Sequence, residues 1–234
     1  MAIPRIIHQV WEGRTEPEMP IRLKILARTW QEQNPDWEYH LWNGDEMDKL
    51  VETHFPEYLS MYKSFPYNVQ RWDTIRYMIL YVYGGVYTDL DTECFRPIDS
   101  LVENVTMGIG EEPPINNTTS CKGNAFLASL KGCSGWLMIL DDIKSNTYNY
   151  KSSALTVMNT TGPFMIERLF KCLEKEYNAL SLSYLQVAPV SKYDMYNYIF
   201  ENGKTVFQEK IKEAYCAHYF FGSWDNRLSF YNRN

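Results

Sequence analysis

The chain has 234 residues, of which 45% are apolar and 22% charged, a composition that supplies a core and excludes a disordered, collagen-like or coiled-coil chain. Twenty-three basic against 29 acidic side chains leave a net charge of −6, so no net positive field exists to hold a nucleic-acid backbone. No run approaches the ~18 apolar residues that a membrane span needs, and the length suits one compact α/β domain.

Ile3 to Trp11 reads as a buried strand, with Gly13 and Pro17 punctuating the loop after it. From Pro20 to Gln33, Ile21, Ile25, Leu26 and Trp30 recur at helical spacing, and Asn34-Pro35 stops them. Trp37 to Leu41 alternates with period two, and Asn43-Gly44-Asp45 serves as a turn and helix start. This strand, helix, strand, helix order predicts a parallel sheet covered by helices, with ligands beyond the carboxyl ends of its strands. Tyr67 to Tyr83 carries the strongest helical pattern: Trp72, Ile75, Ile79 and Val82 mark one buried stripe, and Gly84-Gly85 ends it. Asp73 and Arg76 lie off that stripe, three apart, and so project from one side. Val86 to Asp91 alternates as a strand, with Tyr87, Asp89 and Asp91 on one face. Thr106–Gly110, Asn124–Leu130 and Tyr184–Val190 read as further strands, Trp136–Ile143 and Pro163–Tyr177 as helices. No linker, repeat or low-complexity segment interrupts the chain, so residues 1–234 are expected to form a single domain.

The first residues, Met1-Ala-Ile-Pro-Arg-Ile6, lack the basic stretch and long apolar region of a secretory signal. A cytoplasmic location is therefore expected, with peripheral attachment at the inner face of a membrane left open. Cys94, Cys121, Cys133, Cys172 and Cys216 form an odd set without metal-like spacing, which reads as reduced thiols. Asn-x-Thr tripeptides at Asn104, Asn116, Asn117 and Asn159 would matter only in a secretory compartment. Eighteen Tyr and seven Trp bring the aromatic share to 15%, which suits either stacking on bases and sugar rings or a Tyr-rich core.

Asp89-Leu-Asp91 is the sharpest local feature, because two carboxylates on one face at a strand end repel unless a cation sits between them. Hard oxygen ligands favour Mg²⁺ or Mn²⁺, which in turn bridge to phosphate oxygens. A long helix presenting Asp73 and Arg76, a diglycine break and an apolar strand all lead into this pair.

Taken together, Ile3-Pro-Arg-Ile-Ile-His-Gln-Val-Trp11, Arg71-Trp-Asp-Thr-Ile-Arg76 and Tyr83-Gly-Gly-Val-Tyr-Thr-Asp-Leu-Asp91 resemble the glycosyltransferases with a DXD sugar-binding region. That group includes yeast initiating mannosyltransferases and bacterial capsule enzymes, and it is similar to the catalytic core of the large clostridial glucosylating toxins. Gly123-Asn-Ala-Phe-Leu127, Thr161-Gly-Pro163 and His218-Tyr-Phe-Phe-Gly-Ser-Trp224 extend the resemblance from residue 3 to residue 224.

The resemblance implies an α/β GT-A fold with a mainly parallel sheet, a nucleotide-sugar donor, Mn²⁺ or Mg²⁺, and transfer with retention at the anomeric carbon. Asp73, Arg76, Asp89 and Asp91 would form its catalytic set. Val10 and Trp11 would lie on the donor side, Trp11 stacking on the nucleobase, while Asp73 and Arg76 would bind sugar hydroxyls or diphosphate. Tyr87 would line the sugar-phosphate side; Asp91 would hold the metal directly and Asp89 would bridge it to the ribose. Asn124 and Thr161-Gly162 would contact sugar or acceptor. His218, Ser223 and Trp224 would close over the donor and touch metal or diphosphate, residues 218–234 ordering as a lid when donor and metal bind.

No Asp or Glu is placed by the sequence as a nucleophile under the anomeric carbon, which favours front-face transfer. The expected activity is metal-dependent, retaining transfer of a hexose from a UDP- or GDP-linked donor to a glycan or lipid-linked glycan acceptor, in surface polysaccharide assembly. Two rivals are a catalytically silent nucleotide-sugar or glycan-binding module and an effector that glycosylates a protein. The chain lacks the membrane anchor of the Golgi members and the large helical insertions of the toxins, so compartment and acceptor do not transfer from those relatives.

Overall fold

The computed structural model describes residues 2–114, 118–146, 150–195 and 204–221. In chain order the elements that position the site are β1 (Ile6–Val10), α1 (Ile21–Gln33), β2 (Glu38–Trp42), α2 (Gly44–His54), α3 (Leu59–Ser64), α4 (Asn68–Tyr83), β3 (Gly85–Thr88) and β4 (Thr92–Cys94). They continue with β5 (Met107–Glu112), β6 (Cys121–Ser129), α5 (Gly135–Ser145), α6 (Ser153–Thr160), α7 (Pro163–Tyr177), β7 (Ala179–Leu182), α8 (Tyr184–Val187), α9 (Lys204–Ile211) and β8 (Cys216–His218).

Six strands form one sheet in the order β2-β1-β3-β6-β5-β7. Helical crossovers make β1 parallel to both β2 and β3, and β5 is parallel to β7; β6 alone runs against its neighbours β3 and β5. The sheet is thus mainly parallel and flanked by helices, as expected. Alternating side chains feed two cores. Ile7, Val86, Phe126 and Ala128 pack with Trp30, Trp37 and Cys216 on one face. Tyr87, Met107, Ile109 and Leu127 pack with Ile75, Ile79, Trp136 and Leu169 on the other.

Local signals set several boundaries. Asn43 caps α2 through the backbone N–H groups of Asp45 and Glu46, while Glu46 returns the bond to the N–H of Asn43. Gly84 ends α4 at φ +67°, and Gly85 follows at φ +94° with its Cα so close to β1 that a Cβ would stand 2.4 Å from the Ile6 carbonyl oxygen. The diglycine therefore does two jobs: it turns the chain out of α4 and lets β3 lie against β1.

Other boundaries depart from expectation. The first strand is shorter than Ile3–Trp11, and Ile21 and Ile25 of α1 face solvent, the core being reached by Leu26, Ala27 and Trp30. Tyr184–Val187 is a helical turn, not a strand; the Ser183 hydroxyl caps it at the Leu185 N–H, and the strand lies just before it, beside β5. Neither α6 nor α9 was signalled by the sequence. Helix α4 is buried from Asp73 through Leu80 rather than along one stripe, because α2, α5, α6 and the sheet pack around it.

Candidate functional site

β1 and β3 run side by side with His8 opposite Tyr87, so Val10-Trp11 and Asp89-Asp91 leave the sheet at the same edge. The strand that carries the acidic pair stops at Thr88, earlier than the alternation suggested. Asp89 to Asp91 form a turn, closed by the Thr92 N–H and hydroxyl on the Asp89 carbonyl at 3.2 and 2.6 Å. That carbonyl also accepts from Gln9 Nε2 at 3.0 Å, and the Asp89 N–H donates to the Ala125 carbonyl at 2.9 Å. The turn is thus pinned by β1, β6 and the start of β4.

A large irregularity in the β5–β6 pairing makes this possible. Ile109 faces Leu127, yet Glu111 already faces Lys122, so β6 bulges between them. The bulged backbone offers the Asn124 carbonyl to Arg76 Nη1 at 2.6 Å and the Ala125 carbonyl to Asp89.

Asp73 and Arg76 project from one side of α4 and meet each other, as their spacing of three led one to expect, but both are only 5% exposed. Arg76 Nη2 lies 2.8 Å from Asp73 Oδ1, its Nη1 lies 3.1 Å from Asp89 Oδ1, and its guanidinium stands 4.7 Å over the Tyr87 ring. The Tyr87 hydroxyl donates to Asp89 Oδ1 at 2.9 Å. Asn124 Nδ2 donates to Asp73 Oδ1 at 3.1 Å and the Thr161 hydroxyl to Asp73 Oδ2 at 2.9 Å. Thr161 has no exposed surface, and Gly162 is buried at the start of α7 with its N–H on the Val157 carbonyl. In place of the expected sugar contact, the Thr161 hydroxyl supports Asp73 from behind, and Gly162 serves as the cap residue before α7. Burial lifts the Asp73 carboxyl to about 6 against the pull of Arg76 and Thr161.

The second half of the site is built by β4 and β8, which pair antiparallel with Thr92 opposite His218. His218 Nε2 sits 3.3 Å from Asp91 Oδ1, and the Phe221 N–H donates to Asp91 Oδ2 at 2.8 Å. Burial alone would lower the His218 imidazole; the charge and hydrogen bond of Asp91, with Asp89 and Glu112 behind, carry it instead to about 9. Burial likewise opposes ionisation of Asp91, but His218 and the Phe221 N–H hold that carboxyl below its ordinary value. Asp89 is raised, since burial and Asp91 outweigh Arg76.

One ligand atom each from Asp89, Asp91 and His218 fall within 4.8 Å of one another, a candidate divalent-cation site of two hard oxygens and one imidazole nitrogen. The chemistry of this donor set fits: two carboxylates and an imidazole converge within one coordination sphere, and the paired carboxylates call for positive charge between them. His218 Nδ1 is buried and, among the described residues, has no hydrogen-bond partner. Trp11 is half-buried beyond β1, its indole N–H likewise without a partner among the described residues. Ser223 and Trp224, with the expected lid beyond Phe221, lie outside the described residues. His8, given no role by the sequence, is structural: Nε2 is 2.9 Å from the Gly84 carbonyl and Nδ1 accepts from the Trp42 indole.

Sequence reasoning missed Gln9 and Glu112. Glu112 ends β5 beside the candidate cation site, close enough to His218 and Asp89 for charge coupling, and burial raises its carboxyl. Nothing in an isolated Glu-Glu pair tells which of the two faces the site; the bulge decides it.

The α/β architecture with its acidic turn beyond β3 is the GT-A fold. The UDP-bound glycosyltransferase domain from the YGT toxin superposes with a TM-score of 0.56 at 8% identity, over 89% of each chain. Residues 20–107 match the glycosyltransferase sugar-binding region containing a DXD motif. Inositol phosphoceramide mannosyltransferase 3 of Schizosaccharomyces pombe is 32% identical over 201 residues, 85% of this chain and 53% of that one. The initiation-specific alpha-1,6-mannosyltransferase of Candida albicans is 33% identical over 108 residues, 44% of this chain and 28% of that one. The chain therefore carries the DXD-containing sugar-binding region of these glycosyltransferases, as its motifs led one to expect, and spans about half the length of the S. pombe relative.

Proposed function

We propose that the chain transfers a hexose from a nucleoside-diphosphate sugar to a hydroxyl-bearing glycan or glycolipid acceptor, with retention. The observation that carries this reading is the Asp89–Asp91–His218 cluster beside the clamped Arg76, at the carboxyl edge of a GT-A sheet. Asp89, Asp91 and His218 would hold a divalent cation, Mn²⁺ or Mg²⁺, whose charge neutralises a donor diphosphate. Arg76 is permanently cationic and fixed by Asp73 and the Asn124 carbonyl, so it offers positive charge without reorganisation. Val10 and Trp11 stand at the same edge for the nucleobase, and Tyr87 backs Arg76 and Asp89.

Each carboxylate of the DXD turn and of Asp73 is already engaged by protein donors, which favours attack by the acceptor itself over a covalent enzyme intermediate. The acceptor oxygen forms its bond to the anomeric carbon as the bond to the diphosphate oxygen breaks on the same face. The hydroxyl proton leaves with the diphosphate. Mannose is the first sugar to try, since the relatives are named as mannosyltransferases, and UDP-sugars stand beside it because the YGT toxin domain binds UDP.

The test is a panel of UDP- and GDP-linked hexoses with Mn²⁺, scored for nucleotide release and glycoside formation. Wild type is expected to turn over at least one donor, with activity abolished by excess chelator. Asp91→Asn removes one of the paired charges and should cut turnover roughly a hundredfold or more. Full activity of Asp91→Asn, or of wild type in chelator, removes the cation from the mechanism. No turnover of any donor by wild type removes the enzyme.

A further inference from the structure

Glu112 and Glu111 are neighbours with opposite fates. Glu111 is locked: Oε1 binds Lys122 Nζ at 3.0 Å and the Ser181 hydroxyl at 2.7 Å, and Oε2 accepts from the Tyr184 N–H at 3.3 Å. Glu112, turned to the other face of β5, makes no hydrogen bond or ion pair among the described residues. Its side chain lies flat over Gly123 of β6, so that a Cβ on that glycine would stand 2.7 Å from Glu112 Cγ and 2.9 Å from Oε1. Together with Thr92, Gly123, Ala125, Val187 and His218 it lines a cavity that opens beside the cation site. A partly buried carboxylate that the protein leaves without a donor, in a cavity walled in part by the His218 imidazole, is free to accept a hydrogen bond from outside the chain.

We propose that Glu112 is the acceptor-side residue of the site, its carboxylate accepting a hydrogen bond from a hydroxyl of a sugar or cyclitol acceptor. This rests on the transferase reading and deepens it. The chemistry favours a hydroxyl over the donor's diphosphate, because an anion next to a carboxylate without a hydrogen-bond donor of its own is repelled, whereas a neutral polyol offers the donors that Glu112 lacks. Position agrees: Glu112 stands close enough to His218 and Asp89 for charge coupling and shares with His218 the lining of the cavity. The bulge that carries Asn124 and Ala125 to Arg76 and Asp89 is the same irregularity that brings Glu112 to the cavity.

Glu112→Gln keeps size and shape but replaces one acceptor oxygen with a donor. Gly123→Ala keeps the carboxylate but pushes it off its seat. Both are to be assayed with the donor that wild type turns over, and with methyl α-mannoside, lactose and myo-inositol as acceptor probes, the best of the three being titrated. The expected result is an acceptor KM raised at least tenfold in both variants, a donor KM within twofold of wild type, and an unchanged Kd for the matching nucleoside diphosphate with Mn²⁺ by calorimetry. Glu112→Asp should recover part of the acceptor KM. Acceptor KM unchanged in both variants overturns the role of Glu112 while leaving the transferase standing, and so does a parallel loss of nucleoside diphosphate affinity. Wild type that releases nucleotide but glycosylates none of the three probes overturns the acceptor class assigned to Glu112, and wild type that turns over no donor overturns the reading beneath it and the inference with it.

Discussion

Asp73 spends both carboxylate oxygens inside the protein, Oδ1 on Arg76 and Asn124 and Oδ2 on Thr161. Its task is to fix a guanidinium, and Thr161 is the quietest member of that arrangement. Thr161→Val preserves shape but leaves a buried carboxylate oxygen short of a donor, so unfolding free energy should fall by about 1–3 kcal/mol. Turnover should fall with it as Arg76 loses its brace, and urea denaturation with a donor assay reads both. A second residue-scale expectation concerns pH. His8, 1% exposed, is held neutral by burial and titrates near 4 rather than 6.5. Below 6.5 the unfolded chain therefore gains a proton that the folded chain refuses until about 4, and stability is lost as pH falls through that window. Between pH 7 and 5 wild type should lose about 2 kcal/mol more than His8→Gln. The comparison between the two proteins cancels Asp73, whose raised carboxyl pulls the opposite way. Equal slopes in the two proteins would show that His8 is not the buried neutral group described.

Among the elements, the passage from α4 into β3 is the most constrained. Gly85→Ala forces a Cβ to 2.4 Å from the Ile6 carbonyl oxygen at a φ of +94° and should cost roughly 2–4 kcal/mol, with the cation site loosened because β3 no longer seats against β1. Gly132 makes the control: its φ is +75° but nothing lies within 4 Å, so Gly132→Ala should cost only about 1 kcal/mol. Similar urea midpoints for the two variants would mean that close approach is irrelevant. Periodicity found α1, α4 and α7 because each is long enough for its pattern to repeat. It failed at Tyr184–Val187, where four residues cannot distinguish a helical turn from a strand and the Ser183 cap is the only local signal. It also failed on the burial of α4, since a sequence shows which residues are apolar, not how many neighbours will enclose a polar pair.

Across the molecule, the site is assembled from five parts of the fold far apart in sequence: β1 through Gln9, α4 through Asp73 and Arg76, the β3–β4 turn, the β6 bulge and β8. The acidic pair and its helix were legible because they fall within one stretch, Arg71 to Asp91, of the segment matched by the DXD glycosyltransferases. His218 was legible only through that family's C-terminal motif, and Glu112 not at all, since each reaches the site by strand pairing over long separation. Among the described residues no helix is long and apolar enough to cross a membrane.

The pairing of β4 with β8 also sets an order of completion during synthesis. Asp89 and Asp91 emerge from the ribosome long before His218 and the Phe221 N–H that neutralise Asp91. A nascent chain that has reached β7 can already form most of the large sheet, yet its acidic turn is then two facing negative charges with no imidazole and no docked strand. The pair is self-repelling until β8 docks, so the acidic turn meets the imidazole of His218 only after the strands that carry the turn have already paired.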